Sequence, residues 1–473
     1  MTTRREFLQT ASALAAVAAL GPRSLQAGEV PFPVVRTPLE KRCFTSEAVE
    51  ALIQEVQASS SPELGWLFGN CFPNTLDTTV RFREQGGRPD TFVITGDIDA
   101  MWLRDSSAQV WPYLGLAGRD PKLKRLLAGV IRRQVDCIRI DPYANAFNDG
   151  PGHSEWSEDV TEMKPELHER KWEVDSLCWP IRLSHGYYAA TQDASIFDGA
   201  WRQAMGLILK TFREQQRKEG RGPYHFQRKT PWQSDTLPGG GWGNPIRPCG
   251  LIASAFRPSD DATSFLFLIS SNHFAAVSLK QLAELAQGPA QDAGLAKEAR
   301  ALGEEVSEAL RMHGTAVHPV HGRIWAFEVD GFGNALFMDD ANVPSLLALP
   351  YLGACKADDP LYLATRRFLL SPENPWYCKG RAAEGIGGPH AGLETVWPMS
   401  MVTRALTSQS DAEVRGCLRM LVATHAGKGF IHEAIHKDDP AKFTRPWFAW
   451  ANTYFGELVL HLHRTKPALL RGI

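Results

Sequence analysis

Three clusters in this chain combine residue types that catalysis uses. The first is Asp97-Ile98-Asp99-Ala100-Met101-Trp102-Leu103-Arg104-Asp105, directly after a short apolar run. Carboxylates and a guanidinium give directional hydrogen bonds to vicinal hydroxyls, and an indole offers a flat apolar face to the C–H surface of a sugar ring. A buried Arg104–Asp105 ion pair, stapling a loop to a helix start, would use the same side chains. The second cluster is Phe256-Arg257-Pro258-Ser259-Asp260-Asp261-Ala262-Thr263. Adjacent acids after a serine suit a helix N-terminus. They also suit glycosidic cleavage, because a neighbouring carboxylate can keep a carboxyl group protonated near neutral pH. The glycine-rich loop upstream, Gly239-Gly240-Gly241-Trp242-Gly243, lacks the lysine and hydroxyl residue that end a phosphate cradle.

The third cluster, His432-Glu433-Ala434-Ile435-His436, matches HExxH, with Glu457 further on as a third ligand. A zinc metallopeptidase using His432, Glu433 and His436 is therefore the rival reading. It needs both imidazoles one turn apart on a continuous helix, with the glutamate beside a metal-bound water. Gly427 and Gly429 before the motif and Pro440 after it leave about ten residues for that helix, which disfavours it. Segments of similar polar and aromatic character are Glu328–Asn334, Met338–Pro344, Gly387-Gly388-Pro389-His390 and Thr444–Asn452. Asp339 and Asp340 there suit the cap of a helix beginning near Pro344.

The elements that must hold these clusters are mostly helical. Apolar residues recur at helical spacing in Val49, Leu52, Ile53 and Val56 after a Ser46 cap, in Leu123 to Val135, and in Phe197, Trp201, Met205, Ile208 and Phe212. Further helices are expected over residues 272–286, 295–312, 361–370, 411–424 and 454–464. Strand-like pieces are few and short, such as residues 91–95 and 324–329. Sharing the chain beyond Ala27 among twelve helices leaves roughly 37 residues for each helix and its connection, which suits a toroid of paired helices. Trp111-Pro112, Trp179-Pro180 and Trp397-Pro398 each follow an acid (Asp105, Asp175, Glu394) by a few residues and hint at a repeat of inner helices.

The 473 residues carry 51 basic and 53 acidic side chains, with 44% hydrophobic and 22% charged. This is an ordinary globular composition, and its near-neutral balance lacks the footprint of a nucleic-acid binder. Beyond the first 27 residues no apolar run approaches the roughly 18 needed to span a bilayer. Those first residues read as an address: Arg4-Arg5, an apolar stretch from Ala11 to Leu20, then Leu25-Gln26-Ala27, a pattern that resembles a twin-arginine signal and implies a periplasmic or secreted protein. No linker or low-complexity tract follows, so residues 28–473 are expected to form one domain. The eight cysteines are scattered without CxxC, and most are expected to be small buried hydrophobes.

Taken in order from Phe44 to Leu458, the motifs DIDAMWLRDSSAQVWPYL, FRPSDDAT, EVDGFGN, DDANVPSLL, GGPH, the His-Glu of GFIHEAI, and FTRPWFAWANTYFGEL resemble glycoside hydrolase family 125, the metal-independent exo-α-1,6-mannosidases. The resemblance implies an (α/α)6 barrel with its active site at one end, and an inverting mechanism without metal or cofactor. It puts the general acid in the Asp260–Asp261 pair, with Asp260 favoured, and the general base at Glu433. Asp97, Asp99, Trp102, Arg104, Asp105, Arg257, Asp261, His390, His432 and Arg445 would then line the sugar subsites. The partner implied is a mannose-containing oligosaccharide, with no partner protein. Ala434 and Ile435 depart from the family pattern, which would show a small polar residue and an aromatic there. A carbohydrate-binding protein that has lost catalysis is a third reading, and the acids at Asp260 and Glu433 argue against it.

Overall fold

Every helix expected from apolar spacing forms close to its expected bounds. The computed structural model describes residues 32–473; the twin-arginine segment lies outside the described residues. Ser46 accepts a hydrogen bond from the Val49 amide and starts the helix Glu47–Ser59, and Asp120 and Pro121 start Pro121–Ile140. The other expected stretches become Gly199–Gln215, Ile269–Gln287, Ala293–His313, Pro360–Leu369, Asp411–Ala423 and Ala449–Thr465. Their apolar stripes are buried, as Leu123, Leu127, Val130 and Ile131 are in the Pro121 helix. Residues Arg36–Ile473 form one compact unit.

Within that unit the helices form two concentric layers, an (α/α)6 barrel. The inner ring includes Leu103–Val110, Val174–Thr191, Ile269–Gln287, Pro398–Leu406 and Ala449–Thr465. The Leu103 helix packs on both the Val174 and Ala449 helices, the Val174 helix on the Ile269 helix, and the Pro398 helix on the Ala449 helix. Residues 345–353 take the remaining place as a run of turns. Ser270 donates to the Pro344 carbonyl at 3.1 Å, and the Tyr351 ring meets Tyr454 edge-on at 5.3 Å. Outside the ring, the Pro121 helix covers the Val174 helix, Ala293–His313 covers the Ile269 helix, Asp411–Ala423 covers the Pro398 helix and Pro62–Cys71 covers the Ala449 helix.

Strands are confined to six small antiparallel sheets of two or three strands among the described residues. Several end where an inner helix begins. Met101–Trp102 runs into the Leu103 helix, Phe267–Leu268 into the Ile269 helix, and Thr395–Val396 comes just before the Pro398 helix. Loops are thereby pinned over the N-terminal end of the ring, which concentrates the sequence motifs there. The three Trp-Pro pairs differ in role: one passes a helix into a 3-10 turn, one lies inside the Val174 helix, and one starts the Pro398 helix. Asp105 and Asp175 do occupy first turns of inner helices, but Glu394 lies outside any helix.

All eight cysteines are unpaired, and Cys71, Cys137, Cys178 and Cys417 are buried. No helix among the described residues is long and apolar enough to cross a membrane.

Candidate active site

The Leu103 helix begins under a small sheet in which Met101 and Trp102 pair with Phe147 and Ala146. Gln134 braces its first turn, donating to the hydroxyls of Ser106 (2.9 Å) and Ser107 (2.8 Å). Arg104 is thus held with its guanidinium inside the barrel mouth. Its Nη1 lies 2.5 Å from Glu173 Oε2 and 3.4 Å from Asp175 Oδ2, its Nη2 3.3 Å from Asp260 Oδ1, and its Nε 3.5 Å from Asp105 Oδ2. Four carboxyl groups therefore share one cation in a buried place. Burial disfavours the charged form of each, and the shared guanidinium opposes that cost. Burial lifts Asp105 and Asp175 to about 6 against the pull of Arg104. It lifts Glu173 well above the ordinary carboxylate range. Burial pushes Asp260 up as well, but Arg104, Lys171 and His390 outweigh it and hold that carboxyl low.

Asp260 sits at the tip of a tight loop. The Phe256–Ala262 bridge closes its base, the Asp260 amide bonds back to the Arg257 carbonyl at 2.9 Å, and Asp260 takes a left-handed φ of 67°. Aspartate tolerates that region better than most residues, and a non-glycine residue there is the kind of local strain that functional loops carry. Ser259 donates to Asp340 at 2.6 Å, and His390 Nδ1 is 3.9 Å from Asp261 Oδ2. Arg257 lies deeper: its Nε is 2.7 Å from the buried Glu328, whose other oxygen accepts the Ser264 and Phe265 amides. Its role here is to anchor the loop. Beneath the loop, Lys171 donates to the Asp260 carbonyl at 2.9 Å and to Asp235 at 2.7 Å. Arg228 ties Asp235 to Asp159 and Glu169.

Glu433 lies on a loop before the strand Ile435–His436, which pairs with Thr395–Val396 and Asp439–Phe443. Thr444 donates to Glu433 Oε2 at 2.8 Å, and Arg445 Nη1 is 3.4 Å from Glu433 Oε1. The Arg445 Nε is 3.3 Å from Asp97, and its charge also feels Asp105 and Asp260. One arginine thus links Glu433 electrically to the Asp260 side. His432 donates through Nδ1 to the Arg445 carbonyl at 2.8 Å and stacks on Phe443 at 3.9 Å, so it positions this loop.

The zinc reading does not survive this geometry. Residues 432–436 are loop and strand, so the two imidazoles do not share a helix face. His436 Nε2 is 3.8 Å from Glu394, while Glu457 accepts hydrogen bonds from Trp111 Nε1 (3.1 Å) and the Tyr351 hydroxyl (3.0 Å). Among the described residues, no three His, Cys, Asp or Glu side chains converge as metal ligands.

Of the other residues singled out in the sequence, Arg104, Asp105, Asp260 and Arg445 come together in the mouth, and Asp97 reaches it through Arg445. Asp99 is largely exposed and pairs with Arg81 at 2.6 Å. Trp102 is nearly enclosed, its ring 5.3 Å from His168. Asp339 accepts the Leu346 and Leu347 amides, the capping role expected of it, although turns follow instead of a helix. Sequence reasoning missed the site roles of Glu169, Lys171 and Glu173. The segment His168-Glu169-Arg170-Lys171-Trp172-Glu173-Val174-Asp175 carries six ionisable residues, all buried. The regular interleaving of tryptophan and valine in that charge run is the signal that was available.

A barrel of paired helices with carboxyl groups and arginines gathered at one mouth is an architecture that glycoside hydrolases use. A bacterial glucoamylase complexed with acarbose shares the fold, with TM-score 0.51 at 11% identity, covering 78% of this chain and 49% of that one. The closer likenesses are more specific. The model for the metal-independent alpha-mannosidases (GH125) matches residues 61–460. The chain is 42% identical over 464 residues to the Schizosaccharomyces pombe meiotically up-regulated gene 157 protein, covering 94% of this chain and 91% of that protein. It also superimposes on a metal-independent alpha-mannosidase of Streptococcus pneumoniae, solved in a non-productive complex with alpha-1,6-mannobiose. That match has TM-score 0.85 and 41% identity, covering 90% of this chain and all of the other. The chain belongs to the GH125 metal-independent alpha-mannosidase family.

Proposed function

We propose that this protein is an exo-acting, inverting α-1,6-mannosidase that releases non-reducing terminal α-mannose from glycans, with Asp260 as general acid and Glu433 as general base. In this mechanism Asp260 delivers a proton to the departing glycosidic oxygen. Glu433 takes a proton from a water that attacks C1 from the opposite face, so the product is β-mannose. The observation that carries the reading is the pair of arginines. Arg104 pairs with Asp260 and Arg445 with Glu433, each guanidinium within 3.4 Å of its carboxyl group, and Arg445 also feels the charge of Asp260. In this reading Thr444, which donates to Glu433 at 2.8 Å, orients the carboxylate, and Asp97, Asp105, Asp261 and His390 bind sugar hydroxyls. The α-1,6 linkage is supported by the mannobiose bound to the Streptococcus relative. We further propose that residues 1–27 are a twin-arginine export signal and that the exported remainder works as one catalytic domain in the periplasm or outside the cell. N-terminal sequencing of the exported protein should start just after Ala27.

The test is proton NMR of α-1,6-mannobiose hydrolysis by the exported form, with and without a chelator. β-Mannose should appear first in both reactions, and Glu433→Ala should abolish it. First release of α-mannose would refute inversion, and full activity in Glu433→Ala would remove Glu433 as base. Turnover by His436→Ala should stay within a few-fold of the parent.

A further inference from the structure

Glu173, like Asp175, holds a fully enclosed carboxyl group in the mouth. Its side chain is 0% exposed, whereas that of Asp260 is 22% exposed. Oε2 receives Arg104 at 2.5 Å and the Ser176 hydroxyl at 2.7 Å. Oε1 is fully buried and has no donor of its own. Glu173 Oε2 and Asp260 Oδ1 lie on the two terminal nitrogens of one guanidinium, and the two carboxyl groups interact with one another there. Two ionised carboxylates repel one another, and a buried acceptor without a donor is costly, so the pair favours one proton held between them.

Building on the reading of Asp260 as the acid, we propose that Glu173 and Asp260 share a single proton, which Glu173 stores in the resting site and Asp260 passes to the glycosidic oxygen. The O–H bond at Glu173 Oε1 breaks as one forms on Asp260. That bond breaks in turn as the leaving hydroxyl forms and C1–O cleaves. Both carboxylates are then ionised, and Arg104 touches both, through Nη1 and Nη2. Glu433 meanwhile gains the proton of the attacking water and releases it to solvent, while the partly exposed Asp260 recovers one, so each turnover balances. Glu173 is a positioning residue that acts through Asp260.

The surrounding charges favour this division. Arg104 and Asp175 face Glu173 directly, and the Tyr224 phenol lies near it. Asp260 feels Lys171, His390, Arg445 and Glu169 as well as Arg104 and Asp105. Burial drives Glu173 up while the cations hold Asp260 down, which rests the proton on the deeper group.

Glu173→Gln tests this, because the amide keeps the shape but cannot release a proton. The wild type and the variant would be assayed from pH 4 to 9 on α-1,6-mannobiose and on α-mannosyl fluoride, whose leaving group needs little protonation. The expected result is a kcat/KM on mannobiose at least roughly tenfold lower at pH 7, with the basic limb moved about a unit or more toward acid. The fluoride should be hydrolysed within a few-fold of the wild-type rate. Equal losses on both substrates with an unmoved limb would overturn the inference and leave Glu173 a structural residue. Failure of the wild type on mannobiose would refute the mannosidase reading instead. In that case infrared difference spectra at pH 7 decide: one protonated carboxyl band should vanish in Glu173→Gln, and identical spectra would refute the shared proton.

Discussion

Nη2 of Arg104 lies 3.3 Å from Oδ1 of Asp260, joining the first turn of an inner helix to a loop tip 156 residues further along the chain. The same guanidinium serves Glu173, Asp175 and Asp105, so it organises the acid side of the mouth and screens the carboxylates from one another.

Arg104→Met should therefore cost stability in a pH-dependent way. Removing the cation leaves three buried acids, Asp105, Glu173 and Asp175, without their shared counter-charge, a loss of about 3–5 kcal/mol when they are ionised. Asp105 and Asp175, lifted by burial to about 6 already in the presence of Arg104, would titrate higher still without it. At pH 5 they would be largely neutral and the loss smaller. Urea unfolding at pH 5 and pH 8 should show the larger destabilisation at pH 8, and equal losses would contradict the shared-charge account.

Gly96 offers a second test, at the loop that carries Asp97. Its φ is 128°, and a Cβ there would meet the Trp447 ring at 2.7 Å and 2.8 Å. Trp447 follows Arg445 by two residues, so Gly96→Ala should push apart the two loops that the Asp97–Arg445 contact holds together. The expected outcome is a loss of about 1–3 kcal/mol, together with reduced turnover of α-1,6-mannobiose. Parent-like kinetics would show that this approach does not position Arg445.

Glu457 lies away from the Arg104 cluster, under Trp111 and Tyr351. Burial lifts it to about 7, against the opposing influence of Arg182 and the two hydrogen bonds. A carboxyl group raised in the folded state binds its proton more tightly there than in the unfolded chain. Its contribution to stability is therefore full below the unfolded value, near 4.5, and is lost as pH rises through about 7. Comparing Glu457→Gln with the parent in chemical unfolding between pH 4.5 and 8 isolates the group. The parent should lose roughly 1–3 kcal/mol relative to the variant over that interval, and a constant difference would show that Glu457 titrates normally.

The helices were readable in advance because their cause is local. Ser46 caps a helix whose apolar residues repeat every turn, and nothing distant is needed to see that. The motifs of the candidate site were readable for a related reason, since Asp260, Glu433, Arg104 and Arg445 stand in ordered, unusual strings. HExxH was the opposite case. The pattern was present, but its meaning depended on backbone conformation, and the loop and strand at residues 432–436 give it none of its metal-binding geometry.

Residue order alone established the helical repeat, the strings of the GH125 pattern and the near-neutral balance that disfavours nucleic acid. The tertiary structure alone decided which charges are buried and with whom. Glu169, Lys171, Glu173 and Asp175 read in order as a charge run interleaved with Trp172 and Val174, with no partners named. They lie inside the barrel mouth because Arg104, Arg228 and the Asp260 loop arrive from distant parts of the chain to pair with them. Desolvation depends on what surrounds a group in three dimensions, and pairing on which distant residues meet it. Neither is encoded in the spacing of neighbours along the chain, so the proton inventory of the site became visible only in the folded protein.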